Sequence, residues 1–92
     1  MEKKTSRFCL GQLVATPGVL AAVSANDLTH AVTQHLTGDW GVVNAEDQAA
    51  NDWAVENGDR ILSAYMAQDG TKFWINTEAD RSATTILLPN EY

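Results

Sequence analysis

A single cysteine, Cys9, and two histidines leave this chain of 92 residues little for metal or redox chemistry. One thiol cannot close a disulfide within the chain or build a cysteine cluster, and a reduced, cytoplasmic setting is the simplest expectation. Cationic side chains are also scarce: six Lys and Arg stand against twelve Asp and Glu, a formal net charge of −6 with both His neutral. No Lys or Arg occurs between Phe8 and Asp59. That balance argues against direct nucleic-acid binding of the usual basic kind. No apolar run approaches the roughly 20 residues of a membrane span, and the start lacks the apolar region of a signal peptide, so neither membrane nor export is expected. A Gly-rich phosphate loop, a nucleotide fingerprint and a Ser/His/Asp arrangement are missing, so no catalytic residue, metal or cofactor is expected.

What is present is ordinary for a globular protein: 45 % hydrophobic and 20 % charged residues. Such a composition can bury a core, and the length suits one domain. Within it, residues 1–7 are expected to be flexible, with fraying over 1–6, while 16–57 form a helical half and 60–89 a sheet half. The acids Asp27, Asp39, Glu46, Asp47, Asp52, Glu56 and Asp59 place nearly all of the negative field in the helical half.

Thr16-Pro17 opens the first helix, over 17–23, since Thr caps well and Pro is tolerated at the first helical position. Residues 10–15 are short and apolar, readable as extended chain or as part of that helix. Ser24 caps a second helix, in which Leu28, Ala31, Val32, His35 and Leu36 recur at helical spacing, and Gly38 supplies its left-handed end. Asn44 caps a third, with Glu46 and Asp47 where carboxylates complement the helix dipole. Its apolar stripe reads as Ala49, Ala50, Trp53 and Ala54, with Trp53 the large anchor and Asn57-Gly58 the stop.

From Arg60 the period changes from 3.6 to 2. Residues 60–67 and 72–77 read as strands joined by an Asp69-Gly70 turn, and 83–88 as a third, stopped by Pro89. The expected fold is therefore α+β: about three N-terminal helices packed on a C-terminal three-stranded antiparallel meander.

The segment 77–92, with its Thr77-Glu78-Ala79-Asp80-Arg81-Ser82 run, together with Gly38-Asp39-Trp40-Gly41 and Ser63-Ala64-Tyr65, resembles a family of small "plasmid-related" proteins. These are encoded on plasmids, phages and integrated elements. The likeness spans about residues 10–92. It implies a mobile-element setting and carries no catalytic site with it.

Several side chains invite chemistry. His30 and His35 are five apart, about 140° around a helix, so they cannot share an ion; His35 reads as a hydrogen-bonded core histidine. Cys9 reads as a buried or solvated thiol rather than a nucleophile. Glu78, Asp80, Arg81 and Ser82 crowd one turn. There Asp80 and Ser82 are expected to bond the backbone, and Arg81 to pair with Glu78 or Asp80.

The aromatic residues exceed what one face of three strands needs. If Trp53 and Phe73 lie in the core, strand alternation sends Trp74 to the opposite face. Then either the helices wrap both faces or an apolar patch is exposed.

The leading expectation is a non-enzymatic, acidic protein-binding module of a mobile element, in its sharper form an inhibitor of a nucleic-acid-handling or defence protein of the anti-restriction or anti-CRISPR type. Its candidate partner-binding residues are Asp39, Trp40, Glu46, Asp47, Asp52, Glu56, Trp74, Asp80 and Arg81. The alternatives are a small homodimeric regulatory or antitoxin-like protein, and a small-ligand binder or enzyme using the Glu78/Asp80/Arg81/Ser82 turn.

Overall fold

The computed structural model describes residues 5–92. Of the expected fraying over 1–6, residues 1–4 lie outside the described residues. Arg7 is held, its N–H donating to the Leu36 carbonyl at 2.9 Å. The chain is α+β, in the order β1 (Gln12–Ala15), α1 (Pro17–Ala22), α2 (Ala25–Leu36), α3 (Ala45–Asn57), β2 (Ile61–Met66), β3 (Lys72–Thr77), β4 (Ala83–Leu87) and a closing 3₁₀ turn (Pro89–Glu91).

The helix starts follow their caps. Thr16 Oγ1 accepts the Val19 N–H at 3.2 Å, Ser24 Oγ the Asp27 N–H at 3.2 Å, and Asn44 Oδ1 the Asp47 N–H at 2.8 Å. Each satisfies a donor that the first helical turn leaves without an intrahelical partner. Gly58 ends α3 in the left-handed conformation.

The sheet corrects the expected three-stranded meander. It has four strands in the order β1-β4-β3-β2, and β1 runs parallel to β4 while the other pairs are antiparallel. The ambiguous segment over 10–15 is thus partly a strand. Its partner lies some seventy residues away, Gln12 against Ala83 and Ala15 against Ile86. Thr16 makes the transition: extended before Pro17, its N–H still donates to the Ile86 carbonyl at 3.0 Å while its side chain caps α1.

Alternation along the strands divides the molecule into layers. On one sheet face Tyr65, Phe73, Ile75 and Ile86 pack with Val19, Val23 and Ala31 of the first two helices. Phe73 is in the core as expected. A second cluster gathers Trp40, Ala54 and Ile61, with Phe8, Val43 and Val55 against it.

His35 is buried as the sequence suggested, and it anchors a polar chain through the interior. Its Nδ1 bonds the Ser63 hydroxyl, its Nε2 bonds Thr77 Oγ1 at 2.8 Å, Thr77 bonds Thr84 at 2.8 Å, and Thr84 donates to the Leu10 carbonyl at 2.7 Å. Each buried polar side chain on this path therefore has a partner, without which its burial would cost about 1–3 kcal/mol. Burial, reinforced by the nearby Arg81 charge, pushes the His35 imidazole down to about 4.

Candidate interaction surface

The β2 strand is a sheet edge, and two features cover it, Asn51 and residues 40–42. Asn51 of α3 donates to the Leu62 carbonyl at 2.8 Å and accepts the Leu62 N–H at 3.2 Å. One residue pair further along, Val42 N–H donates to the Ala64 carbonyl at 2.8 Å and Ala64 N–H to the Trp40 carbonyl at 3.2 Å. Between them Gly41, at φ +76°, lies so close that a Cβ would overlap the Ala64 carbonyl oxygen.

This docking fixes which side of α3 faces water. Asn51 and Ala54 are buried. Trp53, two residues from Asn51 and so about 200° around the helix, is 57 % exposed. The expectation that Trp53 anchors the core is therefore corrected: Asn51 and Ala54 take the inner face because the helix grips a strand edge, not an apolar sheet face. Glu46, Ala49 and Glu56 are exposed with Trp53, and their spacing sets them on the same outer ridge. Glu46 and Asp47 occupy the favourable first turn, whereas Glu56 sits in a last turn that holds no basic residue, where a carboxylate is disfavoured.

The other candidates are engaged within the fold. Trp40 is only 4 % exposed; its Nε1 donates to Asp52 Oδ1 at 3.0 Å and its ring stacks on Phe8. Asp52 also takes Arg7 Nη1 at 3.1 Å. These two donors, Trp40 first, hold its carboxyl below the usual carboxylate range. Asp39 accepts the Gly41 N–H and Gln34 Nε2, and its backbone carbonyl accepts the Tyr65 hydroxyl at 2.7 Å. Trp40 thus offers no ring to a partner in this fold, and Asp39 and Asp52 are bound into the joint between α2, α3 and β2.

The turn over 78–82 is built from backbone contacts. Asp80 Oδ1 accepts the Ser82 N–H at 3.0 Å, and hydrogen bonding to Ser82 keeps its carboxyl low. Arg81 does not pair with Glu78 or Asp80 as expected. Its Nη1 donates to the Asp59 carbonyl at 2.6 Å and the Glu78 carbonyl at 3.1 Å, and its Nη2 to Ala54 at 2.8 Å. A planar fork can reach several carbonyls at once, so Arg81 ties the end of α3 to the β3–β4 turn.

Trp74 lies half-buried on the sheet face away from α1 and α2, edge-on to Tyr92, over whose ring Arg60 sits. With Asp47, Leu62, Ala64, Arg60 and Lys72 it lines a groove of about 530 Å³. Beside it Asn76 donates to Glu78 at 3.0 Å, and its buried Oδ1 has no hydrogen-bond partner among the described residues. Cys9 and His30 are exposed. Among the described residues no three His, Cys, Asp or Glu side chains gather to hold a metal, and no helix is long and apolar enough to cross a membrane.

The nine candidates thus separate. Glu46 and Glu56 stay together on the outer ridge of α3, Asp47 turns instead to the groove that Trp74 lines, and Asp39, Trp40, Asp52, Asp80 and Arg81 are used in the fold. Trp53 is the surface residue that sequence reasoning misplaced; the polar Asn51 at the centre of the inner face was the available signal. Compared with known proteins, the chain matches no family model, no curated protein and no solved structure.

Proposed function

We propose that the protein is a docking module that engages a basic partner protein through the outer ridge of α3. Trp53 serves as apolar anchor, with Glu46 and Glu56 as the charged rim. The observation that carries this reading is the exposure of Trp53 on a helix with no Lys or Arg. A bare indole costs solubility, and large aromatics ringed by charge are the usual energetic centres of protein interfaces. Glu56 adds weight, because it stands where the helix dipole disfavours a carboxylate.

In the sharper form of the proposal the partner handles nucleic acid. Glu46 and Glu56, about 15 Å apart along the helix axis, then meet basic side chains that otherwise meet phosphates. A mobile-element protein inhibiting a host defence enzyme fits this role, in line with the resemblance to plasmid-related proteins.

The test is affinity capture from the host with the wild type, Trp53→Ala and the double variant Glu46→Gln/Glu56→Gln, each checked for fold by circular dichroism. The reading is supported by a basic protein held by the wild type, released as salt rises and lost with either variant. Capture indifferent to both variants and to salt overturns it.

A further inference from the structure

The two edges of the sheet are treated differently. The β2 edge is covered by Asn51 and by residues 40–42. The β1 edge ends the sheet with no element beyond it among the described residues. Gln12 and Thr16 turn their N–H groups to Ser82 and Ile86 of the β4 side, so by alternation Leu13 and Ala15 point theirs outward.

Apart from its shortness, four residues, this edge lacks the charged and lysine side chains that keep natural edges from pairing. Residues 8–26 contain no charged residue, although the chain as a whole carries −6. Leu13 is 50 % and Val14 41 % exposed. Next to the edge lies a cavity of about 400 Å³ lined by Leu13, Ala15, Ala25, Leu28, Val32 and Ile86, none of them charged.

We infer that β1 pairs antiparallel with β1 of a second copy of this chain, joining two sheets into one of eight strands. The occupant follows from charge and register. No side chain of β1 is charged, so a charged partner finds no ion pair along the strand. The Glu91 carboxylate bonded to Thr16 at its end stands two residues off the Val14 position, so two acidic copies meet there without carboxylates facing each other. A two-fold axis at Val14 sets Leu13 opposite Ala15 of the other copy and satisfies all four outward backbone groups of each strand. The same register lays each Leu13 beside the other copy's apolar cavity, because Leu13 and Ala15 share the helix-covered face. Val14 meets Val14 on the opposite face. The pairing leaves both α3 ridges free, because α3 lies at the far edge.

Sedimentation equilibrium at micromolar concentration should give twice the 10.0 kDa chain mass. Leu13→Pro should return it to the single-chain mass with the fold intact, because the lost N–H points away from β4. In a Cys9→Ser background, Val14→Cys should cross-link to a dimer under mild oxidation, since a non-hydrogen-bonded pair at about 4.5 Å between Cα atoms suits a disulfide. Leu20→Cys, off the axis, should cross-link at least tenfold more slowly. A monomeric wild type overturns the proposal, as does a dimer that survives Leu13→Pro or fails to cross-link through Val14→Cys.

Discussion

The side-chain amide of Asn51 stands beside Leu62 as a further strand would, giving one donor and one acceptor to the same residue at 2.8 and 3.2 Å. A helix thereby replaces a strand at the β2 edge. This contact orients α3, and through α3 it decides that Trp53 faces solvent.

Asn51→Ala should cost about 2 kcal/mol, since both Leu62 backbone groups lose their partner in a partly buried setting. Urea unfolding measures the loss. Asn51→Asp should be no better, because its carboxylate would face the Leu62 carbonyl. Both variants should also aggregate faster than the wild type, as an uncovered edge is a template for pairing.

Arg81 has φ +61°, a conformation that costs a side-chain-bearing residue about 1 kcal/mol relative to glycine. Arg81→Gly and Arg81→Ala should both destabilise by removing the bonds to Ala54, Asp59 and Glu78. The glycine variant should remain the more stable of the two by about 1 kcal/mol. Arg81→Lys should not restore the wild-type midpoint, as one ammonium cannot span carbonyls on α3 and on the turn.

The buried His35 imposes a pH dependence. Its pKa is near 4 when folded and about 6.5 when unfolded, so between these values the unfolded chain binds a proton that the folded chain refuses. Stability is complete above about pH 6.5 and falls as pH drops toward 4, by up to about 3 kcal/mol. Thermal melts from pH 7 to pH 4.5 should show this slope in the wild type and a flatter one in His35→Gln. The lowered carboxyls of Asp52, Asp80 and Glu91 lose their contribution mainly below about pH 4, beneath that window.

Tryptophan fluorescence separates the two indoles whose expected places the structure exchanges, Trp53 outside and Trp40 inside. Trp53→Phe should remove the most red-shifted, most acrylamide-quenchable emission and change stability by less than about 0.5 kcal/mol. Trp40→Phe should leave that emission in place. It should cost about 1–2 kcal/mol by breaking the bond to Asp52 and loosening the stack on Phe8.

Glu56→Gln should raise stability by a few tenths of a kcal/mol, relieving a carboxylate at the α3 C-terminus. The same change should weaken capture of a basic partner. Stability gained together with binding lost is the signature expected of a carboxylate kept for recognition.

Local chemistry carried much of the fold into view. Thr16, Ser24 and Asn44 cap the helices they were expected to cap, because a cap is an interaction across three residues. Asp69-Gly70 turns the chain between β2 and β3 for the same reason, and the alternation over 72–77 gives β3 its two faces. His35 was legible as a core residue because it sits on the apolar stripe of α2.

The misplaced residues share one feature: each is decided by a neighbour far away in the chain. Residues 12–15 become a strand only because β4 offers a parallel partner about seventy positions on. Trp40 is buried through Asp52 and Phe8, and Arg81 leaves the adjacent carboxylates for carbonyls on α3. Thus the amino-acid order by itself determined the three helices, strands β2 to β4 and their ends, since these depend on contacts within a few residues, and it placed His35 on the inner stripe of α2 by periodicity. Which tryptophan faces water, which sheet edge stays open and which carboxylates remain together were decided only by tertiary packing, because burial belongs to the assembled layers and not to any one segment.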